Sequence, residues 1–152
     1  MLIAALSTLL SVTALPEQVM LGGDEAANAS AIEGLCEVAE RRVLDPETLP
    51  LAQDSHVQID CDGFEYGGAP RRAEFVFADG RLSHIWVLVD ASEVDGLDEA
   101  FEAAFGSPSV RSDSFSAYIN ANAAVRRDTP EALFYSDHVA PMFEGWFQQS
   151  AG

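Results

Sequence analysis

The chain has 152 residues, and 8 basic residues stand against 25 acidic ones, for a formal net charge of -17. That balance excludes a basic nucleic-acid footprint and disfavours electrostatic attraction to anionic lipid. Hydrophobic residues make up 48% of the chain, too many for an intrinsically disordered polymer and enough for one domain with a buried core.

Residues 1–14 read MLIAALSTLLSVTA, without a charged side chain and with a small residue at the end. This is the form of a secretory signal cleaved after Ala14; the alternative is a short buried helix. Residues 15–29 lack steady periodicity and contain Gly22-Gly23, which predicts a linker or arm. All eight basic residues are Arg and alanine is abundant, a bias that suggests bacterial coding. The Asn28-Ala29-Ser30 sequon then reads as chance, and the excess acid suits an exposed or salty compartment where self-repulsion is screened.

Ser30 and Glu33 have the spacing of a capping box, and Ile32, Leu35, Cys36, Ala39 and Val43 recur at helical spacing. A helix is predicted over 31–44, stopped by Asp45-Pro46. Val57, Ile59 and Cys61 then alternate with polar residues as in a strand, and the parity flips after Gly63, as a β-bulge there would require. An inward Cys36 and an inward Cys61 in an exported chain predict a disulfide; in a cytosolic chain they would be two buried thiols. Closing that loop of about 26 residues would stabilise the fold by roughly 3–3.5 kcal/mol.

Strands over 71–78 and 81–90 join through Asp79-Gly80, a two-residue hairpin turn. That turn predicts Phe77 opposite Leu82, Phe75 opposite His84 and Ala73 opposite Trp86. One face would carry Phe75, Phe77, Leu82, Trp86 and Leu88, the other Val76, Ile85, Val87 and Val89. A helix capped by Ser92 follows, with Val94, Leu97, Phe101 and Phe105 as its apolar stripe and Glu93, Asp98, Glu99 and Glu102 in solvent. Gly106 and Pro108 end it. A strand over 114–119, a hairpin of 123–127 with 132–136, and a last helix carrying Val139, Met142, Phe143 and Trp146 complete the chain. The expected fold is α+β: an antiparallel sheet of hairpins with helices packed on one face, in the order α-βββ-α-βββ-α. It forms a single domain over 30–149, and its two strand-rich halves suggest a loose internal duplication.

Candidate chemistry is sparse. His56, Gln58, Asp60 and Asp62 share one strand face, so His56, Asp60 and Asp62 could offer metal ligands at a surface site or simply form a solvated face. His84 is a possible general base beside Glu65 or Asp90, with Arg71 or Arg72 as an anion clamp in a pocket between sheet and helices; the alternative is a structural histidine. Asp137-His138 reads as a turn or cap. The pairs Arg41-Arg42, Arg71-Arg72 and Arg126-Arg127 point to opposite faces and suit ion pairs with nearby acids. Phe134, Tyr135, Phe143, Trp146 and Phe147 form the densest aromatic group, core if the last helix docks and a partner site if exposed. No G-x-S-x-G, H-E-x-x-H, P-loop, G-x-G-x-x-G, C-x-x-C or EF-hand pattern occurs.

The resulting expectation is a small acidic domain exported to the bacterial periplasm or medium. It would work as a binding or inhibitor module with a protein partner or as a homodimer, without nucleic acid and without stable membrane insertion after signal cleavage. No catalytic residue, metal or cofactor is assigned. The alternative is a small-molecule binder or enzyme with a pocket between sheet and helices.

Overall fold

The computed structural model describes residues 12–151. Its elements are helix α1 (Glu25–Leu35), strands β1 (Val38–Leu44), β2 (His56–Tyr66), β3 (Ala69–Ala78) and β4 (Arg81–Leu88), helix α2 (Val94–Phe105), strands β5 (Val110–Arg111), β6 (Phe115–Tyr118), β7 (Ala123–Arg126) and β8 (Glu131–Tyr135), and helix α3 (Ala140–Ala151). The strands form one antiparallel sheet in the order β1-β2-β3-β4-β8-β7-β6-β5. Each half of the chain is thus a helix followed by a four-strand meander, and the halves meet along β4 and β8. The α+β class holds, with four strands in each half instead of three.

The helix expected over 31–44 is the main correction. The helix begins at Glu25, where the Asp24 carboxylate caps it by accepting from the Ala27 N–H at 2.7 Å. It stops at Leu35, and Cys36 turns to extended backbone. Residues 38 to 44 then pair with β2, from Val38 opposite Asp62 to Leu44 opposite His56. Ala39 and Val43 are four residues apart, a spacing that puts them on one face of a strand as well as of a helix. The unpaired edge of β2 settles the choice, because it offers hydrogen bonds that a helix could not use. Cys36 bonds to Cys61 with a Cα–Cα distance of 5.2 Å, so the disulfide forms at the exit of α1.

Residues 15–24 are not a free arm. Leu15, Val19 and Leu21 pack against the core, and Gly22 and Gly23 exchange backbone hydrogen bonds with Leu82, each 2.8 Å. Asn28 is buried and clasps both backbone groups of Met20, which removes the sequon asparagine from solvent.

The bulge at Gly63 is present as a register shift between Asp62 and Phe64. Gly63 has φ +82, and a Cβ there would lie 2.9 Å from the Glu37 Cβ. Asp79 (φ 53) and Gly80 (φ 81) form the hairpin turn in left-handed conformations. Phe77 does face Leu82, but a second register shift follows at once, and Phe75 faces Ile85 while Ala73 faces Val87. The extra residue is Ser83, whose hydroxyl donates to the Val76 carbonyl and whose carbonyl accepts from Ser136. This slip moves Ile85 and Val87 onto the face of Phe75 and Phe77, and His84 and Trp86 onto the other.

Both faces are therefore apolar, and the helices divide between them. α1 and α2 cover the face of Val57, Ile59, Phe75, Ile85 and Phe134. α3 covers the opposite face, where Phe143 and Phe147 pack on Phe115, Leu133 and Tyr135. Helices on a single face would have left the second cluster in water, at a cost of about 25 cal/mol per Å² of apolar surface. Of the C-terminal aromatics, Phe134 joins the first core and the others the second, so they are core, with Trp146 half-buried at its margin.

Candidate functional site

The pocket candidates separate. His84 is buried among Trp86, Phe143 and Ser83, whose hydroxyl meets Nδ1 at 2.8 Å. Burial pushes its pKa down to about 3, with help from His56, so it stays a neutral ring. Arg71 lies toward the other face and holds Glu93 bidentately, one contact being 2.7 Å. Glu65 and Asp90 are exposed, at the end of β2 and in the turn before α2. Arg72 pairs with Asp62 at 2.7 Å. Of the two cavities described below, one is lined by Arg71 and neither by His84. Ser92 does not cap α2; a short 3-10 turn, Ala91–Glu93, precedes it, and the Glu93 carboxylate accepts from the Asp90 N–H.

All eight arginines are engaged. Arg41 pairs with Glu25, Arg42 with Asp60, Arg111 and Arg127 with Asp98, Arg126 with Asp128 and Glu131, and Arg81 donates to the Gly22 carbonyl. Each adjacent pair does split between the two faces. Asp98, expected in solvent, is only 7% exposed. It accepts from the Tyr118 hydroxyl at 2.5 Å and from Ser116 and Arg127 at 3.1 Å, tying α2 to β6 and to the residue after β7. Its place on the row Val94, Asp98, Phe101, Phe105 was the available signal: a carboxylate on an apolar helix row needs buried partners.

The candidate site lies on the sheet face that α3 half covers. Among the described residues no α-helix on this face reaches β1 and β2, but the 3-10 turn Pro46–Thr48 lies against the His56 end, and Leu51 packs on the core beside it. His56, Gln58, Asp60 and Asp62 do share it, but His56 and Asp60 are buried, so the row is not a simple wet face. His56 Nδ1 meets the Thr48 hydroxyl at 3.1 Å. Gln58 bridges Asp60 at 2.8 Å and Glu74 at 3.1 Å, and Arg42 and Arg72 flank Asp60. Among the described residues no cluster of three or more His, Cys, Asp or Glu has the arrangement of a metal site.

At the margin with α3, the Arg126 guanidinium sits 5.7 Å from the Trp86 ring and 5.6 Å from the Trp146 ring. Asp128 at 2.8 Å and Glu131 at 3.2 Å hold it there. Glu131 is 4% exposed, and its pKa is pushed up to about 7 by burial, against the pull of Arg126 and with the push of Glu74. Glu74 is likewise raised, by burial and then by Asp60. A strip of carboxylates, arginines and half-buried indoles thus crosses rigid strands. It offers shaped charge and aromatic surface.

Two cavities lie on the face that α1 and α2 cover. One of about 330 Å³ is lined by Tyr66, Gly67, Arg71, Glu93, Leu97 and Ala100, with Val12 at its wall and the Tyr66 hydroxyl donating to the Val12 carbonyl. Another of about 460 Å³ lies between residues 13–21 and Phe105, Asn122, Phe134 and Asp137. Compared with known proteins, the chain matches no family model, no curated protein and no solved structure.

Proposed function

We propose that the chain is an exported binding module that holds a basic protein segment against the open half of the sheet. The carrying observation is the strip itself: the half-buried Glu74, Trp86, Trp146 and Arg126, with the buried carboxylates of Asp60 and Glu131 behind them. Tryptophan and arginine are the residue types that dominate binding energy when they sit at the centre of an interface. Rigid strands lower the ordering cost of binding, and a net charge of -17 steers basic partners toward it. A photo-crosslinker at Gln58, with one at Glu33 on α1 as control, tests the reading in bacterial envelope extract. A partner captured from position 58, and lost with Trp86→Ala and Glu74→Arg, supports it. Equal capture at both positions, or none at low and moderate salt, refutes it.

Export is part of the proposal. The apolar leader, its small residue at Ala14 and the Cys36–Cys61 bond support removal of 1–14 in an oxidising compartment, the bacterial periplasm or medium. Residues 1–11 lie outside the described part of the chain. Intact-mass measurement of the protein from its native cells should find Leu15 first; Met1 still attached would end this part of the reading.

A second reading rests on the 330 Å³ cavity, where removal of 1–14 would take Val12 from its wall and free the Tyr66 hydroxyl. The groove would then take a small apolar ligand with one carbonyl. One-to-one binding of an apolar fluorophore by protein beginning at Leu15, blocked by Ala100→Trp, supports it; binding unchanged by that substitution does not.

A further inference from the structure

The outer side of β1 pairs with nothing among the described residues. It is a seven-residue strand without proline or a bulge, and its neighbours cover neither face of it completely. Only three large hydrophobic side chains are exposed among the described residues, and two are here: Val38 at 62% and Val43 at 72%; the third is Met20. A long open edge of this kind is a template for another strand.

We infer that β1 pairs antiparallel with β1 of a second copy, about a two-fold axis through Arg41. The strand reads Val38-Ala39-Glu40-Arg41-Arg42-Val43-Leu44. Centred on Arg41, Glu40 faces Arg42 of the other copy twice, Val38 faces Leu44 and Ala39 faces Val43, so opposite charges and apolar side chains meet on matching faces. Only Arg41 meets its own kind, and each Arg41 is already held by Glu25 through two contacts of 2.9 Å. Moving the axis by one residue sets Glu40 against Glu40 or Arg42 against Arg42. The charge order therefore selects the register, and the occupant it fits is this strand itself.

The dimer would be one continuous sheet of sixteen strands, twice the eight of one copy. Because the axis runs perpendicular to the sheet, both copies present the polar strip of Asp60 and Glu74 on the same side, which doubles the face proposed for the partner. The pairing itself does not depend on that proposal.

Cysteine pairing in the full chain tests it. Arg41→Cys places two sulfurs on opposed residues, within bridging distance. Ala39→Cys places them about 14 Å apart, four residues out of step, beyond bridging distance. Under mild oxidation Arg41→Cys should give a disulfide dimer on non-reducing gels and Ala39→Cys should not. Sedimentation equilibrium at rising micromolar concentrations should show a dimer for the unmodified protein. Glu40→Arg should weaken it about tenfold or more, and Glu40→Arg with Arg42→Glu should recover it. Melting curves confirm that each variant is folded. Monomer at every concentration, equal crosslinking at 39 and 41, or a dimer indifferent to Glu40→Arg overturns the inference.

Discussion

Gly63 shows how much one residue can carry. Its φ of +82 lies in the region that side chains with a Cβ avoid, and the Glu37 side chain fills the space a Cβ would need. Gly63→Ala should cost about 1–2 kcal/mol or more and lower Tm, read in a thermal melt; an unchanged Tm would mean the bulge relaxes freely. Glu131 and His84 act through protons. Glu131 is raised from 4.5 to about 7 in the folded state, so the folded chain keeps a proton that the unfolded chain has released. Its contribution is full below pH 4.5 and is lost as pH rises through 7. His84 has the opposite sense: lowered from 6.5 to about 3, it makes stability fall as pH drops below 6.5. The two oppose each other between 4.5 and 6.5, and above that Glu131 acts without His84. Stability should therefore fall by about 1 kcal/mol between about pH 6.5 and pH 8. Glu131→Gln should flatten that fall, measured by urea denaturation across the range. A fall of equal size in the variant would assign it elsewhere.

At the scale of elements, the exit of α1 is the joint that organises the first half. The helix ends, the disulfide fastens its end to β2, and β1 starts two residues later. Cys36→Ser with Cys61→Ser should cost about 3 kcal/mol in the chain-entropy account. Because α1 and β1 both depend on this joint, protection from hydrogen exchange should drop first in Val38–Leu44 and Glu25–Leu35. Uniform loss across all eight strands would show that the joint has no local role. The Asp98 cluster does the equivalent work for α2, whose buried carboxylate is answered by Tyr118, Ser116 and Arg127. Local signals carried well in these elements. Asp79-Gly80 formed its turn, Gly63 its bulge, and the stripe of α2 faced the core, because each depends on neighbours a few residues away. The helix expected over 31–44 ended at Leu35, because the competitor for 38–44 was a strand edge about twenty residues distant in sequence.

The whole molecule carries a net charge of -17, and its arginines are spent on local pairs. Exposed ion pairs contribute little each, whereas self-repulsion among the remaining carboxylates acts over the full surface. Added salt screens both, and the second effect should win. Tm should rise between about 10 mM and 150 mM sodium chloride, where the Debye length falls from about 30 Å to about 8 Å. A fall would mean that the arginine pairs outweigh the net charge. The same acidity suits a surface that attracts basic partners and is screened in a salty compartment, in line with the proposed role.

The residues by themselves determined the α+β class, the hairpin of 123–127 with 132–136 and, for an exported chain, the Cys36–Cys61 bond, because period, turn chemistry and thiol count are local or compositional. The two-residue strand β5 and the pairings of β5 with β6 and β6 with β7 were not legible. They did not determine which face each half of the sheet would bury. One extra residue at Ser83 reversed the sides of His84, Trp86, Ile85 and Val87, and α3 went to the face opposite α1 and α2. His84 and Arg71 were parted and the strip of Trp86, Arg126 and Glu131 was assembled by the same slip. Side-chain alternation has a period of two, so a single-residue shift fixed by distant contacts changes every later side chain's surroundings.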